Sequence, residues 1–376
     1  MSAAEPSQAL GLSVKATGTL IRNGRPYRGI GVNYYDAFLR VLRNPNDDSY
    51  REGFQYLGRN HIPFARFAAG GYTGSDLELY VTDKGAYFRR LDAVVHCAEE
   101  FDVGLIATLF WSIGAVSQLV NETPARWGES NSKTREFMRN YTREVVARYA
   151  NSPAIWGWEF SCELSLPFDL PNRPSGFVLG RKMTFATFKS AALDFARTVR
   201  GIDSRRILLT GNSLPRASAY NNSTNGSFTP DSEQQFASML LRDNPGPYNP
   251  ICIHTSPASI SRYFADRKVS YKELLEACVK IGRSAGKAIY LEEFVPIPAR
   301  PAGRGSLSER EYFATELSAI ERSGVPIASV WVYDRKLSPD RSNLTFTNER
   351  AYMLKMIAEL NRKFRAQSST ASIATH

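Results

Sequence analysis

Cysteine and histidine are both scarce in this chain, four of each in 376 residues, and their scatter excludes several classes of protein. The cysteines, Cys97, Cys162, Cys252 and Cys278, form no Cys-x-x-Cys pair, and three of them sit in apolar segments, so no disulfide framework is expected. The histidines, His61, His96, His254 and His376, never pair at a ligand spacing, and no dedicated metal site is expected. Long apolar runs are missing as well, which predicts a soluble protein with no membrane span. No Gly-x-Gly-x-x-Gly turn follows any early strand pattern, which argues against an open dinucleotide-binding sheet. The N-terminus lacks the basic start and apolar stretch of a signal peptide. The expected location is therefore secreted or periplasmic if the chain is a mature form, and cytoplasmic otherwise.

What is present is a large apolar fraction, 43%, with 22% charged residues and a net charge of +10. That is enough to bury one big core. The basic residues are scattered and interleaved with acids, and no zinc, helix-turn-helix or RNA-recognition pattern accompanies them, so no nucleic-acid partner is expected. Short β-branched or aromatic runs recur eight times with helical patterns between most of them. They are 27–33, 63–68, 104–110, 155–163, 207–211, 251–254, 288–294 and 328–333. Among the helices, Phe137, Tyr141, Val145 and Tyr149 make one apolar stripe, while Arg135, Arg139 and Arg143 are expected to face elsewhere. This rhythm predicts an α/β fold, a single (β/α)₈ barrel spanning 12–365, between a flexible N-terminus over 1–11 and a disordered tail over 366–376. Ahead of the first barrel strand, Asn23-Gly24 between two alternating segments predicts a short β-hairpin that plugs the barrel bottom.

Two glutamates stand at the ends of two of these strands, Glu163 after Trp156-Gly-Trp-Glu-Phe-Ser-Cys and Glu293 after Ala288-Ile-Tyr-Leu-Glu. In a barrel they come from the fourth and seventh strands and meet across the mouth. A pair of carboxyls in one pocket, one protonated and one ionised, is the equipment for cleaving glycosidic bonds. Because alternate strand residues point oppositely, only one of Glu292 and Glu293 is expected to face the mouth, leaving Glu292 as a satisfied flank. Glu159 shares the side of Glu163 but lies lower, where a carboxylate needs a partner, and Arg66 at the end of the second strand is the candidate. The connections 166–183 and 214–249, rich in Pro, Gly and Asn, follow strand ends and are expected to wall the cleft.

These segments resemble glycoside hydrolase family 5 of clan A, the cellulase and mannanase-like enzymes, over nearly the whole chain. Tyr149-Ala-Asn-Ser-Pro-Ala-Ile-Trp-Gly-Trp-Glu-Phe-Ser-Cys-Glu is similar to the family's fourth-strand motif, and Lys287-Ala-Ile-Tyr-Leu-Glu-Glu-Phe to its seventh-strand motif. The resemblance implies a retaining glycoside hydrolase acting on a β-linked oligo- or polysaccharide, mannan or glucan, as a monomer without a cofactor. By it Glu163 is the acid/base and Glu293 the nucleophile. Arg66 is the arginine that holds the nucleophile ionised, His254 the sixth-strand histidine lining the sugar site, and Trp331 the eighth-strand tryptophan under the sugar. Trp111 and Tyr34, at or just past strand ends, extend that aromatic platform, since the C–H faces of a pyranose are apolar. Two departures stand out. Cys162 occupies the position of the asparagine that bonds the sugar 2-hydroxyl, and Ser256 replaces a tyrosine that contacts the nucleophile. They define two rival readings, a degenerate barrel that binds glycan without cleaving it and a thiol hydrolase built on Cys162.

Overall fold

Asn23 and Gly24 both take left-handed φ, 50° and 76°, the two-residue turn whose twist matches that of paired strands. The computed structural model describes residues 10–172, 183–257, 263–298 and 307–373. The turn joins β2 (Leu20–Arg22) to β3 (Arg25–Pro26), and β1 (Leu12–Val14) pairs with β2 in the order β1-β2-β3. The expected hairpin is thus part of a three-stranded antiparallel sheet. Its Leu12 and Leu20 are buried in one cluster with Phe64, Ile106, Ile207 and Tyr290, closing the barrel from below. Residues 1–9 of the expected flexible N-terminus lie outside the described residues.

The barrel strands are β4 (Gly29–Asn33), β5 (Phe64–Ala68), β6 (Gly104–Phe110), β7 (Ile155–Ser161), β8 (Ile207–Leu209), β9 (Ile251–His254), β10 (Ile289–Phe294) and β11 (Ile327–Val330). They pair in parallel in the order β8-β7-β6-β5-β4-β11-β10-β9. Each falls within or within one residue of an expected run, because strands covered on both faces read as near-continuous apolar segments. Between β8 and β9 the seal is made by side chains as well as backbone. Asn249 donates its N–H to Leu208 O at 2.9 Å, and the buried Asn244 carboxamide oxygen accepts from Thr210 Oγ1 at 2.8 Å and from Cys252 N at 2.9 Å.

Serine caps set the starts of the outer helices. Ser232, Ser270 and Ser308 each accept the backbone N–H three residues on, while Gln235, Glu273 and Glu311 reach back to the cap. On the helix Lys133–Tyr149 the buried face runs through Met138, Tyr141, Val145 and Tyr149. Arg135 departs from the expected outward face: it is buried and donates to Trp127 O at 2.7 Å while pairing with Asp194. The closing helix Ala351–Ile373 continues into the stretch expected to be a disordered tail, and residues 374–376 lie outside the described residues. Among the described residues no helix is long and apolar enough to cross a membrane.

Inside the barrel, the period-2 geometry of strands stacks a polar layer on an apolar one. Phe64, Ile106, Cys252 and Tyr290 belong to the lower cluster, and the residues two positions on are Arg66, Thr108, His254 and Glu292. One step along four strands therefore turns a packed core into a charged floor.

Candidate active site

Arg66 is the hub of that floor. Its guanidinium is fully buried and donates Nε to both oxygens of Glu159 (3.0 and 2.9 Å) and Nη2 to Glu159 Oε1 (2.6 Å), while Nη1 reaches Glu293 Oε1 at 2.7 Å and Asn33 Oδ1 at 3.0 Å. Glu159 also accepts from Thr108 Oγ1 at 2.8 Å. The expected Glu159–Arg66 pairing is present, and the same cation touches Glu293. Burial pushes the Glu159 carboxyl up against the pull of Arg66, and the neighbouring Glu292 pushes it the same way.

The relation between Glu292 and Glu293 differs from strict alternation. β10 pairs with β9 as Leu291 with Ile253 and then Glu293 with His254, so one extra residue, Glu292, is accommodated opposite a single step of β9. Such a bulge breaks alternation and re-aims side chains. Glu292 keeps the inward side that alternation from Tyr290 gives it and is not a flank, and the bulge brings Glu293 inward as well. Glu292 is fully buried, with Oε2 3.0 Å from His254 Nε2 and Oε1 lacking a hydrogen-bond partner. Glu293 faces the mouth.

His254 links the carboxylates. Its Nδ1 lies 3.1 Å from Glu163 Oε1 and 3.7 Å from Glu293 Oε2. Those two distances to one atom hold the two carboxylate oxygens within about 7 Å of each other, compatible with the spacing of a retaining pair. Burial alone would favour the neutral ring, but Glu293, Glu163 and Glu292 outweigh it and the imidazole is pushed up to about 10. For Glu163, burial acts to raise the pKa, and the hydrogen bond and charge of His254, with Arg66 behind, hold it below the usual carboxylate range.

Glu163 sits just past β7 in left-handed backbone, φ 54°, a conformation that costs a non-glycine residue about 1 kcal/mol or more. Its N–H donates to Gly211 O at 2.7 Å. Gly211 (φ 73°) must be glycine, because a Cβ there would lie 1.7 Å from Ser161 O. The turn after the fifth barrel strand thus clamps the residue that carries Glu163 out into the mouth, where its side chain is 41% exposed.

The aromatic residues divide. Trp111, at the end of β6, stacks under Arg66 with the guanidinium carbon 4.2 Å from its ring and stands 6.2 Å from the Trp331 ring. Trp331 is part-exposed and held by its Nε1–H to Asp340 Oδ2 at 3.1 Å. Tyr34 does not join them. Its ring is wholly buried against Phe54 and Tyr333, and its hydroxyl donates to Asp334 Oδ2 at 2.8 Å, so it braces the barrel wall behind the mouth and cannot touch a sugar. Tyr35, not Tyr34, packs beside Trp111 and Trp331, because the strand has ended and the chain turns.

Trp111, Cys162, Glu163 and Leu164 line an open cleft of about 610 Å³ together with Tyr72 and Gln118. Of the first expected wall, Pro167 lines the cleft and Asp169 pairs with Arg216 of the second, whose Nε is 2.8 Å from Oδ1. Residues 173–182 of that wall lie outside the described residues. Cys162 Sγ is 3.7 Å from Glu293 Oε1, and burial first, then Glu293, keeps the thiol well above its ordinary range. A protonated thiol is a poor nucleophile. That counts against a thiol hydrolase. Sequence reasoning missed Asn33 and Asp340; the only signal for Asn33 was its place at the end of the first barrel strand.

No family model matches the chain. Its sequence is 37% identical over 81 residues to mannan endo-1,4-beta-mannosidase A of Podospora anserina, a stretch covering 20% of this chain and 21% of that protein. Among solved structures, the endo-1,4-beta-mannanase of Rhizomucor miehei superposes with a TM-score of 0.68 at 16% identity, over 94% of this chain and 99% of that one. A glycoside hydrolase family 5 mannosidase from the same organism gives 0.64 at 14%, over 96% and 100%. The chain thus shares the (β/α)₈ fold of these two enzymes over most of its length, and one stretch of its sequence matches about a fifth of the length of a curated mannosidase.

Proposed function

We propose that this protein is a retaining glycoside hydrolase of family 5 type that cleaves a β-linked glycan, mannan-like or glucan-like, with Glu293 as nucleophile and Glu163 as acid/base. The observation that carries the reading is the arrangement of the two carboxylates around His254, with Arg66 bonded to Glu293 alone of the two. Arg66 orients the Glu293 carboxyl by bonding Oε1, which leaves Oε2 free to attack. Glu293 attacks the anomeric carbon as Glu163 passes a proton to the leaving oxygen, and water then releases the glycosyl-enzyme with Glu163 as base. Trp331 and Trp111 supply apolar faces for the sugar.

The resting protonation adds a feature. Glu163 is held ionised by the imidazolium of His254, so the proton for the leaving group is stored on His254 and shared across the 3.1 Å contact. A raised histidine keeps that proton below its pKa and loses it above. Turnover is therefore expected to persist through neutral pH and to fall as pH rises toward about 10. In His254→Asn the alkaline limb should move down toward the ordinary carboxyl range, because Glu163 must then hold its own proton. Profiles of kcat/KM against pH for the two proteins check this; coincident alkaline limbs would exclude the shared proton.

The reading itself is tested by proton NMR of the first-formed product from β-1,4-mannan and β-1,4-glucan oligosaccharides. Retained β configuration is the expected result, with a 2-fluoro glycoside trapped on the peptide bearing Glu293. An inverted product would sink the double displacement. Binding without turnover across the panel would favour the degenerate barrel.

A further inference from the structure

Four carboxyl side chains crowd the catalytic floor. Among the described residues, Glu159, Glu163, Glu292 and Glu293 pair there with two cationic groups, Arg66 and His254. Three donors of different softness converge on its open side. Cys162 Sγ, a ring nitrogen of His254 and a carboxylate oxygen of Glu293 all lie within 4.8 Å of one another. Sequence spacing gives no hint of this, because the three come from β9, β10 and the turn after β7. We propose that Cys162, His254 Nδ1 and Glu293 form a binding site for a zinc ion, which occupies the nucleophile and competes with the sugar.

Geometry supports this assignment. Tetrahedral zinc with metal–sulfur bonds near 2.3 Å and metal–nitrogen or metal–oxygen bonds near 2.0–2.1 Å needs donor-to-donor edges of about 3.3–3.6 Å. His254 Nδ1 to Glu293 Oε2 is 3.7 Å, close to such an edge. Cys162 Sγ lies 3.7 Å from the other oxygen, Oε1, and the three ligand atoms lie within 4.8 Å of one another, so zinc binding requires the thiol to turn toward Oε2. Arg66 keeps Glu293 Oε1, leaving Oε2, the oxygen turned toward His254, for the metal.

The support behind the donors fits as well. A ligating histidine commonly gives its other ring nitrogen to a carboxylate, which fixes the tautomer and the ring plane. Here His254 Nε2 is 3.0 Å from the fully buried Glu292. Zinc at Nδ1 takes the place of the proton shared with Glu163 and displaces the Cys162 thiol proton to solvent, and the fourth position is left for water or a sugar hydroxyl. A sulfur, nitrogen and oxygen set selects zinc-class ions over magnesium or calcium. The asparagine of the family motif offers no thiolate, so the exchange to Cys162 is what creates the site.

Binding does not depend on the hydrolase reading; loss of turnover does. The full-length protein, stripped with chelator, is titrated with zinc chloride by calorimetry and with cobalt chloride by absorption. One zinc per chain is expected, with a thiolate-to-cobalt charge-transfer band, and Cys162→Asn should abolish both. Glu292→Gln should weaken zinc binding about 10- to 100-fold. Zinc binding that survives Cys162→Asn unchanged, or cobalt bound without a thiolate band in the unmutated protein, would overturn the site. The cobalt band needs no variant and so stays decisive if Cys162→Asn fails to fold. With glycan substrate, zinc should abolish turnover and chelator should restore it. A protein inactive even in chelator that still shows the cobalt band would refute the hydrolase and keep the metal site.

Discussion

Glu293→Gln is expected to lower kcat by roughly 10⁴-fold or more on every substrate, with the circular dichroism spectrum and cooperative unfolding retained. The amide keeps the size of the side chain and an oxygen for Arg66 Nη1, so the floor stays assembled. What is lost is the anion that attacks. Glu163→Gln should behave differently. It removes the proton carrier, so natural glycans fall by a similar factor, while an aryl glycoside whose phenolate leaves without protonation should still form the glycosyl-enzyme at a substantial rate. Comparing single-turnover rates for an aryl glycoside and an oligosaccharide in both variants checks the assignment. Equal loss on both substrates in Glu163→Gln, or full turnover in Glu293→Gln, would reject these roles for the two carboxyls.

Arg66→Met is the second large effect, and it falls on stability as well as on rate. Removing one partner of a buried ion pair leaves an uncompensated charge, at a cost of about 3–5 kcal/mol. Glu159, wholly buried, would lose three of its four hydrogen-bond contacts, and Asn33 and Glu293 would lose theirs from the same guanidinium. Urea unfolding should report a midpoint shift of that size. The double variant Arg66→Met with Glu159→Met replaces the pair by apolar groups of similar volume and should regain most of the stability. It should not regain activity, because Glu293 still lacks its cation. A single variant within about 1 kcal/mol of the parent would show that the pair is solvated and that the floor is not a closed network.

The barrel was readable because its strands are buried on both faces, which forces near-continuous apolar runs, and because the outer helices announce themselves with serine caps and apolar stripes. The Asn23-Gly24 turn was readable because so few residue pairs tolerate left-handed φ twice. Glu163 and Glu293 were readable as strand-end carboxyls. Tyr34 was misplaced for a physical reason: strand-end position says that a residue is near the mouth, whereas the turn after β4 decides which of Tyr34 and Tyr35 looks into it. Glu292 was misjudged because alternation along one strand allows only one of two neighbours to face inward, whereas the bulge that lets Glu293 join it is a property of two paired strands.

By itself the chain determined its periodicities, and through them the eight strands, the layer of residues two positions above the packed core, and the chemical type of each group in the mouth. Only the tertiary structure decided which groups touch: Arg66 shared between Glu159 and Glu293, His254 set between Glu163 and Glu292, and Cys162 brought beside both His254 and Glu293. Periodicity is local and survives in one dimension. Contacts among six strands and the turns between them depend on register, twist and closure, which exist only once the sheet has met itself.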